Sequence, residues 1–479
     1  MYGVAALLSQ GIGLLLFPFL AHHFSPQQYG VIDILTLVAI LANLTVALEV
    51  NQGLGRHFAE ASERERVDYT STALLFTAGA YTVFAAIALA LARPLTHVLL
   101  AHGVDPWITR VAIVWIWASG IVYLAQDQLR WRMRPRAYGL VALTTAAVTA
   151  AATLVLVFGF GVGVIGVLIG QLAGALAAGL VVFGLSRDAY ALRFDRHKLG
   201  VMLAFSLPLV PSSIGVYLNG FADRLVLQHS RSLADVGVYG VAFRIAMIVA
   251  LLLAGFQGAA TPLILARHEL PGTRGELARI FRLFSAAALI AFLAASLFAD
   301  TEVHLLASPA YARADILVPY LFMSALLFGV YIFAPGLTIA KRTCTFALIS
   351  LSAGVLNLGL ALALVPTLGI RGAGIATAVS SAWFFVLTMH FSQRHYAVGH
   401  DWMRLGAALA VAIGALLLGR GVIPTGGDHA LAAWPLTAKA ILSGLGAVMI
   451  ATLLVRPAEM RLFWSQLRRP LAWAQGSVS

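Results

Sequence analysis

Residues 163–185 read GVIGVLIGQLAGALAAGLVVFGL, an unbroken run with no charge and a single amide, Gln171. As a helix rising 1.5 Å per residue the run is about 34 Å long, enough to cross a hydrocarbon core of about 30 Å. Lipid offers no partner to backbone N–H and C=O groups, so a spanning segment must be a helix or part of a closed barrel. A continuous apolar run without two-residue alternation is the helical solution.

The same pattern recurs through the chain. Of 479 residues, 60% are apolar and only 11% charged, and the mean hydropathy is +0.89, whereas a soluble domain carries about 25% charged residues. Apolar runs between charge clusters predict fourteen spans, near 2–22, 31–55, 70–92, 108–128, 138–158, 163–185, 199–222, 236–264, 280–299, 315–338, 343–365, 370–391, 404–423 and 435–455. The expected fold class is an all-α polytopic membrane protein with about 14 transmembrane helices and no sizeable soluble domain. The lone Cys344 excludes an internal disulfide and a cysteine metal cluster. Met1-Tyr2-Gly3 enters an apolar run directly, without a basic n-region, so no cleavable signal peptide is expected.

The basic residues predict the orientation. With the N-terminus inside, the cytoplasmic side receives 23 of the 32 Lys and Arg residues, in clusters such as Arg130, Arg132, Arg134 and Arg136. The other side receives 7, and Arg224 and Arg244 fall within or at the edge of spans. This is the positive-inside signature with both termini cytoplasmic. It accounts for the net charge of +12 without a nucleic-acid partner. Trp107, Trp131, Trp402 and Trp434 fall at span ends, as interfacial anchors do. The tail 456–479 mixes Met460, Leu462, Phe463, Trp464 and Leu467 with four arginines, and reads as an amphipathic helix on the inner leaflet.

Two markers point to an internal duplication. Ser25-Pro26-Gln27-Gln28-Tyr29-Gly30 follows span 1 and Ala234-Asp235-Val236-Gly237-Val238-Tyr239-Gly240 follows span 7, placing the Tyr-Gly pairs 210 residues apart. Small residues at Gly166, Gly170 and Gly174 in span 6 return as Gly374, Ala378 and Ala382 in span 12, 208 residues on. Spans 1–6 and 7–12 then form two pseudo-symmetric six-helix lobes (1–190 and 199–392), with spans 13–14 (404–455) appended. Recurrence of small residues is also common in helix packing generally.

Ser9-Gln10-Gly11-Ile12-Gly13, Phe17-Pro18-Phe19-Leu20-Ala21 and Phe24 to Gly30 resemble the opening of polysaccharide-biosynthesis flippases. These are members of the multidrug/oligosaccharidyl-lipid/polysaccharide (MOP) exporter superfamily. Leu207-Pro208, Asp223-Arg224 and Ala234 to Gly240 resemble that family's spans 7–8. The resemblance covers roughly residues 1–400 and departs from the family in lacking a basic lead-in. It implies a two-lobed, MATE-like bundle that moves an undecaprenyl-diphosphate-linked oligosaccharide across the bacterial inner membrane by alternating access. It also implies H+ or Na+ as coupling ion, and a polysaccharide polymerase or export machinery as partner. In related lipid II flippases an arginine in span 8, at a position like Arg244, is functionally important.

Charges within the membrane cost at least ~2.5–3.5 kcal/mol each, so each calls for a reason. A diphosphate needs cations that stay charged, which arginine supplies with a two-pronged grip. Arg244, Arg224 and Arg56 are the candidate substrate ligands, with Asn51 and Gln52 beside them. Glu49, Asp33, Asp127 and Asp223 are the candidate ion-coupling carboxylates. Plainer readings stand beside these. Glu49 could pair with a neighbouring arginine, Asp223-Arg224 could snorkel at a span end, and Asp127 and Arg56 could be boundary charges. Gln10, Asn43 and Gln171 read as interhelical hydrogen-bond partners. Pro208 and Pro211 should break or bend span 7, as a hinge or as a static kink.

Several chemistries are excluded. Gly161-Val162-Gly163-Val164-Ile165-Gly166 fits the dinucleotide fingerprint in letters but lacks the strand before it, and reads as a tight outer turn. There is no phosphate-binding P-loop, no H-E-x-x-H and no G-x-S-x-G elbow, so neither an ATPase nor a metal or serine hydrolase is expected, and no cofactor. The competing functions are a MATE-like multidrug or cation antiporter and a membrane polymerase or acyltransferase. The last lacks both a large outer loop and a histidine within the bundle, since His390 lies at a span end.

Overall fold

The structure is a computed structural model that describes residues 2–100, 103–191, 193–270, 272–426 and 429–456. These residues form helices joined by short turns, with no strand among them. Helix α1 (Tyr2–His23) leads into α2 (Pro26–Thr45) through a capping box. Ser25 Oγ accepts from the Gln28 N–H, the Gln28 side chain accepts from the Ser25 N–H, and Pro26 fills the first turn. The Ser-Pro-Gln-Gln signature is therefore a helix start.

Span 2 was expected to run unbroken to residue 55, and it does not. Leu48 and Glu49 both take left-handed backbone angles, with φ of 49° and 53°, and the chain restarts as α3 (Val50–Phe58). Left-handed residues with a β-carbon cost roughly 1–2 kcal/mol each, so the neighbouring contacts must hold the break. One is the bond from Ser206 Oγ to the Leu48 carbonyl at 2.8 Å.

The first half continues through α4 (Glu63–Ala90), α5 (Ala92–Leu100), α6 (Pro106–Trp131), α7 (Pro135–Leu154, extended by a π turn to Gly159) and α8 (Val164–Leu185). Gly161 and Gly163, at φ of 66° and 67°, make the tight turn between α7 and α8 that the fingerprint-like letters concealed. Next come α9 (Arg196–Ser206), α10 (Val210–Ser230) and α11 (Leu233–Arg267). Pro208 breaks span 7 as expected, in a 3-10 turn over Leu207–Leu209.

The remainder comprises α12 (Thr273–Leu297), α13 (Ala299–Leu306), α14 (Val318–Gly329), α15 (Gly336–Ile339), α16 (Thr343–Leu368), α17 (Ile370–His395), α18 (Trp402–Val422) and α19 (Ala433–Leu454). The expected single helix over 315–338 is instead α14, a 3-10 turn over Val330–Phe333 and the short α15. Among the described residues, eleven helices are long and apolar enough to cross a membrane. A twelfth is counted when the bent pair Pro309–Ile316 and Val318–Phe333 is one span. Helices α1 and α11 cover the other two expected stretches.

The packing order of the first half recurs in the second. Helix α1 packs on α7, α7 on α8, α6 on α8 and α4 on α6. Correspondingly, α10 packs on α16, α16 on α17, α14 on α17 and α12 on α14. Between the halves the main contact is α2 on α11, flanked by α2 on α10 and α1 on α11. The two small-residue faces, however, meet different partners. Gly170 and Gly174 press on Thr153 and Thr149 of α7, whereas Gly374 faces Leu317 and Tyr320 at the start of α14.

Helices α18 and α19 pack together against α12. A buried ion pair secures them. Lys439 Nζ lies 2.6 and 2.8 Å from the Asp300 carboxylate oxygens, and Lys439 is 1% exposed. The tail expected to lie on the leaflet falls, beyond Arg456, outside the described residues.

Candidate functional site: charges at the seam between the halves

Helices α2 and α11 meet backbone to backbone near Gly30, Gly237 and Gly240. A β-carbon on Gly30 would overlap the Leu233 carbonyl, and one on Gly237 the Pro26 carbonyl. A β-carbon on Gly240 would stand about 3.1 Å from the Asp33 carboxylate carbon. This contact is what lets the short Asp33 side chain reach across the seam. Arg224 Nη1, on α10, donates to Asp33 Oδ2 at 3.2 Å. The site lies about six to seven residues inside the helix ends at Pro26 and Ser230, or about 10 Å along each helix.

Arg224 is 2% exposed, so it is a buried residue rather than a snorkelling one at a span end. Its guanidinium sits 3.9 Å from the Phe243 ring centre, with Tyr239 and Phe221 at 5.1 and 5.4 Å. Cation–π contacts of this kind partly replace water. Nε and Nη2 still find no hydrogen-bond partner among the described residues. The neighbouring Asp223 is held wholly within the second half. It accepts from Tyr239 Oη, from Thr377 Oγ1 at 2.6 Å and from the Arg224 N–H at 2.9 Å.

Arg244 lies eleven residues into α11, about 16 Å from its start. It is half-buried, over the Tyr29 ring at 5.5 Å and the Phe17 ring at 6.0 Å. Among the described residues it has no carboxylate partner. The seam thus holds one arginine committed to a carboxylate and one that is not.

A second cluster sits at the other end of α2. Glu49, at the helix break, accepts from Ser213 Oγ of α10 at 2.5 Å. Among the described residues it pairs with no arginine, so the ion-pair reading of Glu49 is not realised there. Asn51 donates to Asp127 Oδ2 and accepts from Trp131 Nε1 at 3.2 Å, and Arg130 holds Asp127 at 2.8 Å. Asn51 is therefore occupied, and Trp131 belongs to the cluster rather than to the exposed belt formed by Trp107, Trp402 and Trp434.

The structure thus brings together Asp33, Asp223 and Arg224 at one end, and Asn51 with Asp127 at the other, with Glu49 nearby. Arg56 stands apart, exposed on α3 and paired with Glu60 at 2.5 Å; Gln52 is also exposed. Tyr239 and Thr377 were not anticipated as members of the site. The Tyr-Gly repeat marked Tyr239, but no local pattern marks a lone threonine in span 12. Asn43 is a hydrogen-bond partner as expected, accepting from Tyr81 Oη at 2.8 Å. No group of three or more potential metal-ligating side chains occurs among the described residues.

Comparison with known proteins agrees with this architecture. Residues 19–316 match the family model described as polysaccharide biosynthesis protein. No curated protein matches significantly. Among solved structures, the chain is similar to the lipid II flippase MurJ in an inward closed conformation, with a TM-score of 0.73 at 13% identity over 98% of this chain and 99% of that one. It is also similar to an inward-facing multidrug resistance MATE transporter of the MOP superfamily, with a TM-score of 0.66 at 16% identity over 83% and 95% of the two chains. An outward-facing transporter of the same description gives 0.57 at 16% identity over 85% and 95%. The chain therefore belongs to the polysaccharide biosynthesis protein family and has the fold of the MOP superfamily.

Proposed function

We propose that the protein is a flippase that moves a lipid-linked oligosaccharide, carried on a polyprenyl diphosphate, across the bacterial inner membrane by alternating access. In this reading the chain crosses the membrane fourteen times with both termini in the cytoplasm. Residues 1–190 and 199–392 are the two lobes and 404–455 the appended pair. The recurring helix contacts in the two halves support this division.

The observation that carries the reading is Arg244. It is a permanent cation at the seam, about 16 Å along α11, backed by two aromatic rings and, among the described residues, without a carboxylate partner. An unpaired intramembrane cation is costly, and a passing diphosphate would neutralise it through two parallel hydrogen bonds. A cation antiporter would need the reverse beside Arg244, an uncovered acid at that end of the seam. Here Asp33 and Asp223 are covered by Arg224, Tyr239 and Thr377. Glu49, bonded by Ser213 Oγ, is the carboxylate this reading assigns to the coupling ion.

The test is complementation of a strain lacking the gene, which should hold its lipid-linked repeat units on the cytoplasmic leaflet and lose surface polysaccharide. Arg244→Ala should fail to restore polymer at normal membrane abundance. Arg244→Lys should restore part, because it keeps the charge but not the fork. Full restoration by the alanine variant would refute the assignment.

A further inference from the structure

Away from the seam, α3, the start of α4 and the end of α6 enclose a cavity of about 520 Å³ at the end of the bundle richest in arginine. Two of its arginines converge on one acid. Arg132 Nη2 and Arg134 Nη2 lie 2.6 and 2.9 Å from Asp188 Oδ2, and their Nη1 atoms reach Oδ1. The paired guanidiniums, Arg132 first, hold the Asp188 carboxyl down to about 2, so it stays ionised. Arg66 is anchored through Nε to the Phe58 carbonyl at 3.1 Å, and its two terminal nitrogens make no hydrogen bond among the described residues.

The charge balance of the cavity is informative. Three arginines against Asp188 and Glu63 leave one positive charge in the lining. A phosphodiester carries one negative charge and would close that balance; a diphosphate would overshoot it. Apart from Thr70, the rest of the wall is apolar. The indole of Trp131 lines it, and so does Met133, which is 77% exposed and held at φ 52° in the turn that presents Arg132 and Arg134. Left-handed backbone at a helix end is ordinarily given to glycine. Here it carries an exposed thioether next to the charged wall.

We propose that this cavity binds the phosphodiester headgroup of an anionic phospholipid, with Arg66, Arg132 and Arg134 on the phosphate and Trp131 and Met133 against the glycerol and acyl chains. Basic pockets between helices at the inner leaflet take such headgroups, each arginine favouring the anionic lipid about fivefold. The site is separate from Arg244 and independent of what the seam transports.

The experiment uses the full chain in nanodiscs containing brominated phosphatidylglycerol or brominated phosphatidylcholine. Quenching of Trp131 is taken as the difference between the wild type and Trp131→Phe. Half-quenching should need about fivefold less phosphatidylglycerol than phosphatidylcholine, and Arg66→Gln/Arg134→Gln should remove the preference. As a readout independent of Trp131, native mass spectrometry should show fewer retained phosphatidylglycerol molecules on the double variant. Equal quenching by the two lipids, or a preference that survives in the double variant, would overturn the proposal. So would complete relief of phosphatidylglycerol quenching by inorganic phosphate, which would make the occupant a soluble anion.

Discussion

If the lobes part at the α2–α11 seam during transport, Asp33→Asn should open the end of the seam nearest Pro26. Removing one partner of a buried ion pair costs about 3–5 kcal/mol, because the other charge is left uncompensated. The Asp33–Arg224 pair makes one contact, at 3.2 Å, and three aromatic rings still cradle the guanidinium. The low end of the range, about 3 kcal/mol, is therefore the right expectation. In the open state both charges would face water, so nearly all of this is a difference between closed and open. At 1.36 kcal/mol per tenfold it is a shift of roughly 150-fold towards open.

The assay is cysteine labelling. The single native Cys344 is exposed and is first changed to serine. Ala246, fully buried on α11 one turn beyond Phe243, becomes the probe as Ala246→Cys. Its rate of reaction with a membrane-impermeant maleimide reports the open population. Asp33→Asn should speed it by about 100-fold. Adding Arg224→Gln should return it to within about tenfold of the parent, since no lone guanidinium then remains and Asp223 keeps its bonds from Tyr239 and Thr377. An unchanged rate in Asp33→Asn would refute the latch. A parallel cysteine at the buried Ala412 of α18 is the control, and equal acceleration there would mean general loosening and sink the argument too.

Two other outcomes follow from the buried charges. Glu49→Gln keeps a partner for Ser213 but removes the exchangeable proton, so gradient-driven flipping in proteoliposomes should be lost while substrate binding persists; an unaltered gradient dependence would remove Glu49 from coupling. Lys439→Met strands Asp300 and should cost about 3–5 kcal/mol, read as a lower melting temperature in detergent, and Asp300→Asn/Lys439→Met should recover most of it; a single variant melting like wild type would show that the pair does not hold α18–α19 in place.

What was legible in the sequence and what was not divides along a physical line. Span positions follow from apolar length, a local property, so helices occupy all the expected stretches. The Pro208 break and the Gly161–Gly163 turn were equally readable, because proline and glycine act on their own backbone. The break at Leu48–Glu49 carries no such residue at the point of bending, so hydropathy ran through it. The break after Val330 lies between Gly329 and Pro335-Gly336, a local signal that the apolar length of 315–338 overrode. Charge partnering was the least legible. Arg224 looked like a span-end arginine because the apolar run stops near 222, yet α10 continues to Ser230 and buries it. Its partner Asp33 is 191 positions away, and only the close approach at Gly30 and Gly237 joins them. Arg244 drew notice from its position alone, inside an apolar run, and among the described residues it meets the Phe17 and Tyr29 rings and no carboxylate.

The pattern along α2 gives these pieces a common logic. From one end to the other, α2 and the break that follows it are bonded to the α9–α10 segment. Asp33 meets Arg224, the Leu37 carbonyl accepts from Tyr217 Oη at 3.2 Å, Glu49 meets Ser213, and the Leu48 carbonyl accepts from Ser206. A seam bonded at both ends is closed at both ends. Opening either side breaks only that side's bonds and can leave the other set as the pivot. The bonds differ in kind. The pair nearer Pro26 is a charged one that an anion arriving at Arg224 would weaken, since Nε and Nη2 still lack partners. The bond at the Glu49 end depends on a carboxylate that a proton would neutralise. Under the proposed function, a seam closed at one end by an arginine and at the other by a protonatable acid would be opened from one side by an anionic cargo and from the other by a proton. That division fits alternating access better than two identical closures would, because identical closures would answer to the same signal at the same time.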